Sequence, residues 1–413
     1  MPSSESAPSD ISPSDIPASG AVPVSDTDLF SDATLSEPYA PYAALREAGP
    51  AVWLSRHQAW AVTGYAEVKQ VLEDTETFSS VDGVALTDLA NQQFLAGTVL
   101  ASDGANHARL RRPLSRQLNP RAMRSLAERI RRQADDLVVE YVNRGRFDAV
   151  ELATRMVADV VMELMGLPDS TRGKVLEGAA ATFDLFGPDN ERYQRSAPIA
   201  GAMLAFLHEE VSRDTVRPGS WMSAIYQAVD DGRLEEADCV PLMSAYTTAG
   251  MDTTIHGLST AIHLLATHPA QWAALRASDA SSENAFHETI RYDAPVQGFG
   301  RRATRDTHIG GTAIAANDQL WVSHGASGRD PRKWGADADS FRVDRADAAE
   351  HLALGSGPHS CAGNHLAALE AGSLLSSLVD RCVELELDGE PVRALNNVLR
   401  GWHSLPVRVA PAG

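Results

Sequence analysis

The chain has 413 residues, enough for a large core and a buried cofactor, and its 36 basic against 55 acidic side chains give a net charge of −19. That charge disfavours nucleic acid and anionic membrane surfaces as partners. Its three cysteines, Cys239, Cys361 and Cys382, have no short spacing between any two; this excludes a disulfide framework and a zinc cluster and fits a reducing, cytoplasmic setting.

Residues 1–30 are rich in Ser, Pro and Asp and lack the basic start and apolar stretch of a signal peptide, so they read as a disordered tail. One domain is expected over 31–413. PYAPYAALREAG has short-helix character, AVWLSRHQAWAVTG alternates as a hairpin does, and YAEVKQVLED returns to helical spacing. From about 107 to 280 the pattern is almost unbroken helix, with glycines at the stops. The most apolar long stretch, CVPLMSAYTTAGMDTTIHGLSTAIHLLATH, carries Asp252 and His256 near its middle. A central Asp costs roughly 2.5–3.5 kcal/mol in a membrane helix, so a buried helix of a soluble protein is expected. Further strands fall near 295–325 and 383–410. The chain reads as mainly α with a small β region.

Near the end stands GSGPHSCAG, residues 355–363, followed by a helical pattern from AGNHLAALEAG onward. Glycines let the backbone turn inward, so that N–H groups and a helix N-terminus stabilise a buried thiolate. Such a thiolate can ligate haem iron and favour O–O cleavage. The stretch resembles the haem-binding loop of the cytochrome P-450 family, F-G-x-G-x-H-x-C-x-G, with Gly355, Gly357, His359, Cys361 and Gly363 in place and Leu354 where the family has Phe. Other segments agree. HETIR supplies Glu288 and Arg291, one helical turn apart, matching the family's structural E-x-x-R pair. AGMDTT, residues 249–254, matches the family's distal-helix signature. NHARLRR, FGRRATR and SGRDP match its cationic segments and a conserved turn pattern.

The resemblance implies a triangular helical prism around haem b (iron protoporphyrin IX), with Cys361 as the iron ligand. It implies that Asp252 and Thr253 handle O2 and its protons and that Gly250 lets ligands approach the helix. His107, Arg111, Arg301 and His359 would hold the two propionates, and Gly355 would shape the loop. No flavin or iron–sulfur motif is present, so electrons are expected from a small iron–sulfur ferredoxin with its NAD(P)H-dependent reductase. Nine arginines against one acid, Glu128, between residues 107 and 132 form a basic cluster suited to an acidic partner.

Within the family, FDLFGPDNERYQRSAP, APVQGFGRR and NNVLRGWHSLPVRV resemble the bacterial branch that O-demethylates para-methoxybenzoates and related small aromatics. By that resemblance Phe183, Phe186, Val296 and Gly300 contact substrate, with Gly300 leaving extra room. That branch holds its carboxylate with two arginines. Here Ser244 replaces one and ANQQFLAGTVLAS lacks the other, leaving Ser244, Thr248, Gln92 or Gln93 as polar contacts. A methoxyphenol or alkylguaiacol is therefore as good a substrate class as a benzoate. A peroxygenase using H2O2 would lack the Asp–Thr pair, and a haem sensor without turnover would need neither that pair nor a docking face.

Overall fold

The computed structural model describes residues 22–412. Most of the expected tail therefore lies outside the described residues, but its last part is ordered. β1 (Val24–Ser25) pairs in parallel with β2 (Val52–Leu54), and Leu29 and Phe30 are buried. The expected tail therefore does not extend through residues 24–30, where two large apolar side chains reach the core.

β2 and β3 (Ala59–Val62) form the expected antiparallel hairpin. With β4 (Phe78–Ser79), β5 (Phe299–Ala303) and β6 (Gln319–Val322) they complete a six-stranded sheet in the order β1-β2-β3-β6-β5-β4. In the β5–β6 register, Phe299 opposes Val322 and Arg301 opposes Leu320. Period-2 alternation puts Phe299 and Arg301 on one face.

The helices carry the main core. α1 (Gly104–Leu118) and α2 (Pro120–Arg144) present the arginine-rich segment. α3 (Ala149–Met165), α4 (Arg172–Asp184) and α5 (Glu191–Glu209) follow. The apolar stretch expected as one helix is two, α6 (Cys239–Ala249) and α7 (Asp252–Thr267), broken at Gly250–Met251. Asp and Thr compete for backbone hydrogen bonds, and the Thr253 hydroxyl donates to the Ala249 carbonyl across the break, 3.1 Å. α7 packs on α3 and on α8 (Ser282–Tyr292). α9 (His324–Ser327) caps β6, and α10 (Asn364–Arg381) runs along α2. No helix among the described residues is long and apolar enough to cross a membrane.

Glu288 and Arg291 are wholly buried on α8. Arg291 Nε and Nη2 donate to the two Glu288 oxygens, 2.6 and 2.8 Å. Arg291 also donates to the carbonyls of Ala338 and Ser340, 2.9 and 3.0 Å. Arg342 N–H and Arg345 Nε reach Glu288 Oε1, 2.9 and 3.2 Å. The pair thus ties α8 to the segment that leads into the cysteine loop. Replacing one partner leaves a buried charge without its counterion. Arg291→Met is expected to cost about 3–5 kcal/mol, read as a lower urea midpoint.

Candidate active site

The cysteine loop is shaped by two glycines. Gly355 and Gly357 have φ of +72° and +67°, the left-handed region that favours glycine. A Cβ on Gly357 would stand 3.1 Å from Leu72 O and Glu73 Cα. Cys361 N–H donates to Leu354 O, 2.7 Å, which closes the loop. Leu354 itself packs against the main core. α10 then starts at Asn364, so its N-terminus faces the sulfur. Burial pushes the Cys361 thiol up, and the Gly363 N–H, the Arg111 charge and the Asn364 N–H oppose that shift. By area Cys361 is exposed, yet protein surrounds it closely enough to desolvate it. Cys239 and Cys382 are buried within the main core, so Cys361 is the cysteine of the three that is accessible.

The four predicted cationic positions come together around this loop. His107, on α1, is buried with Nε2 unpartnered. Burial, with His359 and Arg111 nearby, lowers its pKa to about 4, so it is a neutral imidazole. Its ring centroid is 4.3 Å from that of His359. His359 Nε2 pairs with Asp103 Oδ1, 2.8 Å, while Ser79 Oγ and Ser80 N–H donate to the other Asp103 oxygen. Arg111 donates to Ser360 O. Arg301, buried on β5, bonds Gly300 O at 2.7 Å but leaves Nε unpartnered. Burial lowers its pKa to about 10. A desolvated guanidinium short of a carboxylate is a natural anion partner.

On the facing helices, Asp252 is buried with Oδ2 unpartnered, and desolvation raises its pKa to about 7. Gly250 lies in the break, where a Cβ would stand 2.4 Å from Tyr246 O. Ser244 and Thr248 are buried on α6, with Thr248 Oγ1 unpartnered. α6 packs on α4, whose last turn carries Phe183.

Phe183 and Phe186 sit edge to face at 5.5 Å. A residue the sequence reading missed joins them: Phe299 on β5 lies 6.5 Å from Phe183, nearly parallel, and 5.5 Å from Phe186. Val296 belongs to the same apolar cluster. Gly300 has a different role from the one expected. Its Cβ would meet Gly83 O at 2.3 Å and Val84 O at 2.8 Å, and its N–H donates to Val84 O at 2.7 Å. Gly300 therefore lets β5 approach another backbone and does not enlarge a pocket. Gln92 and Gln93 are exposed, and the polar side chains their stretch buries are Asn91, Thr98 and Ser102, of which Asn91 bonds the Ala85 backbone. Glu370 on α10 was also missed. It is fully buried, both oxygens are unpartnered, and burial raises its pKa well above the carboxylate range. A lone Glu in the apolar run HLAALEAGSLL was its only signal.

The unpartnered buried nitrogens of His107 and Arg301, near the loop that carries the accessible Cys361 thiol, fit the two carboxylates and the iron of haem b. A cleft of about 890 Å³ between Gln133, Asp159, Arg172 and Arg217 lies at the surface and includes none of these residues.

Residues 282–403 match the cytochrome P450 family pattern. Over 395 residues the chain is 34% identical to cytochrome p450 CYP199A2 of Rhodopseudomonas palustris, covering 95% of each. It is 32% identical to 6-deoxyerythronolide B hydroxylase of Saccharopolyspora erythraea, covering 92% of this chain and 98% of the relative. In fold it matches CYP109E1 from Bacillus megaterium, solved with testosterone, at TM-score 0.83 and 24% identity over 92% of this chain and 99% of that one. It also matches cytochrome P450 CREJ, solved with (4-ethylphenyl) dihydrogen phosphate, at TM-score 0.80 and 25% identity over 91% and 98%. The chain belongs to the cytochrome P450 family of monooxygenases and binds haem b through a cysteine thiolate.

Proposed function

We propose that Cys361 is the thiolate ligand and that the enzyme oxidises a small para-substituted aromatic, a neutral methoxyarene being the favoured class, with electrons from a small iron–sulfur ferredoxin. The carrying observation is the buried aromatic cluster of Phe183, Phe186 and Phe299, the first of them on α4, which packs on α6, the helix that carries the buried hydroxyls of Ser244 and Thr248. When bound, the haem supplies dioxygen activation, with the thiolate favouring O–O cleavage.

The chain's own residues do the rest. Gly363 and Asn364 N–H groups, with Arg111, offset part of the desolvation that raises the Cys361 thiol and would support its sulfur as a thiolate on iron. The phenylalanines and Val296 clamp a flat ring, an arrangement aromatic pairs favour. Ser244 or Thr248 accepts or donates a hydrogen bond to the ring's polar substituent. Asp252 exchanges a proton at its carboxyl near neutral pH, and Thr253 follows it in the chain with its hydroxyl bonded to the Ala249 carbonyl. A methyl C–H of a methoxy group becomes C–OH, and the hemiacetal collapses to phenol and formaldehyde. One oxygen atom of O2 enters the methyl carbon, and the other leaves as water with two electrons and two protons. The buried Asp252 beside Thr253 favours this over peroxide-driven turnover or sensing without turnover. A structural relative solved with (4-ethylphenyl) dihydrogen phosphate supports a para-substituted ring, its charged phosphate setting it apart from the neutral class favoured here.

Electron entry is assigned to α1 and α2. Arg112, Arg116, Arg121, Arg124 and Arg131 are exposed, and none makes an ion pair among the described residues. Arg111, on the same helix, bonds the carbonyl next to Cys361, so this basic face adjoins the thiolate loop. A cytoplasmic setting suits a reductase fed by NAD(P)H.

Three outcomes test the assignment. With a surrogate ferredoxin and reductase, a panel of para-substituted methoxyarenes should yield formaldehyde, neutral phenols and guaiacols giving larger spin-state shifts than benzoates. Spin shifts without product would sink the enzyme reading. Turnover should show a limb falling above about pH 7 as Asp252 loses its proton. Asp252→Asn should slow turnover by roughly 10²–10⁴ and flatten that limb. Reversing charge in Arg112→Glu with Arg116→Glu should raise the ferredoxin KM by about tenfold at low salt. Substrate spin shifts should be unchanged.

A further inference from the structure

We propose that His324 is a fifth polar side chain of the haem site, donating a hydrogen bond to the same propionate that Arg301 neutralises. This rests on the haem assignment above and extends it to a residue outside the sequence motifs.

The argument begins with hydrogen-bonding capacity. Two of the four expected propionate partners are already engaged by protein. Arg111 donates to Ser360 O. His359 Nε2 pairs with Asp103 Oδ1 at 2.8 Å and lies 3.3 Å from Ser80 Oγ. The free capacity lies elsewhere: His107 Nε2, Arg301 Nε and both ring nitrogens of His324 are buried and without a partner. A neutral imidazole carries one donor and one acceptor. Burying both without partners is costly, and His324 is only 5% exposed.

Its position makes the free donor useful. β5 and β6 place Phe299 and Arg301 on one face, opposite Val322 and Leu320. His324 follows Val322 by two residues, at the start of α9, whose cap Ser323 bonds Ala326 N–H at 3.2 Å. The ring stands edge-on to Phe299, 5.8 Å away. Arg301 is close enough to depress His324 ionisation after burial has done so, which leaves a neutral ring with a pKa of about 3. Arg301 in turn feels Asp103, Asp103 holds His359, and His359 stacks near His107. His324 therefore extends this polar arc to the seam with the aromatic pocket. A carboxylate beside Arg301 would take a charged hydrogen bond from the guanidinium and a neutral one from His324. A second cation there would be repelled by Arg301.

The test uses the intact holoenzyme and two variants, His324→Leu and His324→Gln. Haem transfer to apomyoglobin should be about tenfold faster in the Leu variant, equivalent to about 1.4 kcal/mol. The propionate bending modes in its resonance Raman spectrum should shift. Gln, which can still donate, should restore most of both, so the proposal stays testable should the Leu variant misfold. Unchanged haem transfer and unchanged Raman modes in both variants would overturn it. Altered substrate spin shifts with unchanged haem retention would overturn it too, by assigning His324 to the substrate pocket. Failure of the unmutated protein to give a thiolate-type spectrum under CO after reduction would defeat the haem assignment instead, a separate and visible result.

Discussion

Charge and burial pull against each other at Cys361, and much of the molecule is arranged around that conflict. Desolvation favours the thiol, whereas iron ligation needs the thiolate. Each opposing contribution requires a piece of architecture. The Gly363 and Asn364 N–H groups can aim at the sulfur because α10 begins at Asn364. α10 is held in place by its packing along α2. The loop before it turns through two left-handed glycines, and Cys361 N–H bonds Leu354 O. The preceding segment is fixed by the Glu288–Arg291 knot with Arg345. Arg111 arrives from α1, 250 residues earlier (361 − 111), and is pinned by Ser360 O. The buried ion pair thus serves the site by locating the loop, although it takes no part in the chemistry.

Two kinds of buried polar group can be separated by whether they are satisfied. Asp293 accepts from Tyr39 OH at 2.6 Å and from Arg400 Nε at 2.5 Å, with Arg393 at 3.6 Å. Those cations outweigh burial and hold its pKa at about 2. Asp252 is buried as well but has no cation beside it, and its pKa rises to about 7. One carboxylate is a permanent anion that braces α8 and the C-terminal strands. The other gains and loses a proton at neutral pH. The difference is local charge, not depth, and it divides groups that build the fold from groups free to act. His107, Arg301, His324, Thr248 and Glu370 fall in the second class.

This division explains what could be read from the sequence. The cysteine loop, the Asp–Thr pair and the Glu-x-x-Arg pair each depend on a few residues at fixed spacing within one element, so the string carries them. The hairpin at 52–62 shows its own alternation. Contacts between distant elements leave no such trace. Phe299 meets Phe183 across 116 positions (299 − 183), and nothing local marks it. His324 lies in a short turn after a strand, where a histidine is ordinarily unremarked. Gly300 carried a signal that was misread, because a glycine dictated by a neighbouring backbone looks the same in sequence as one that opens a pocket. The break at Gly250–Met251 was hinted at by poor helix formers in AGMDTT, but a run of apolar residues on both sides masked it.

The proposed preference for a neutral substrate rests on where the buried positive charge sits. Among the described residues, four arginines are buried: Arg291, Arg301, Arg345 and Arg400. Arg291 and Arg345 face Glu288, and Arg400 faces Asp293. Arg301 alone of these four lacks a bonded carboxylate, and it stands on the face of β5 that also carries Phe299. A benzoate entering the phenylalanine pocket would have to share that one guanidinium with a propionate, or remain buried without a counterion. The second course is expensive. A phenol or methoxyarene needs only a hydrogen bond, and Ser244 and Thr248 stand ready to make one. On that reading, serine at position 244 would change the charge a ligand can bring beside the phenylalanine cluster, while Phe183, Phe186 and Phe299 would still orient a ring.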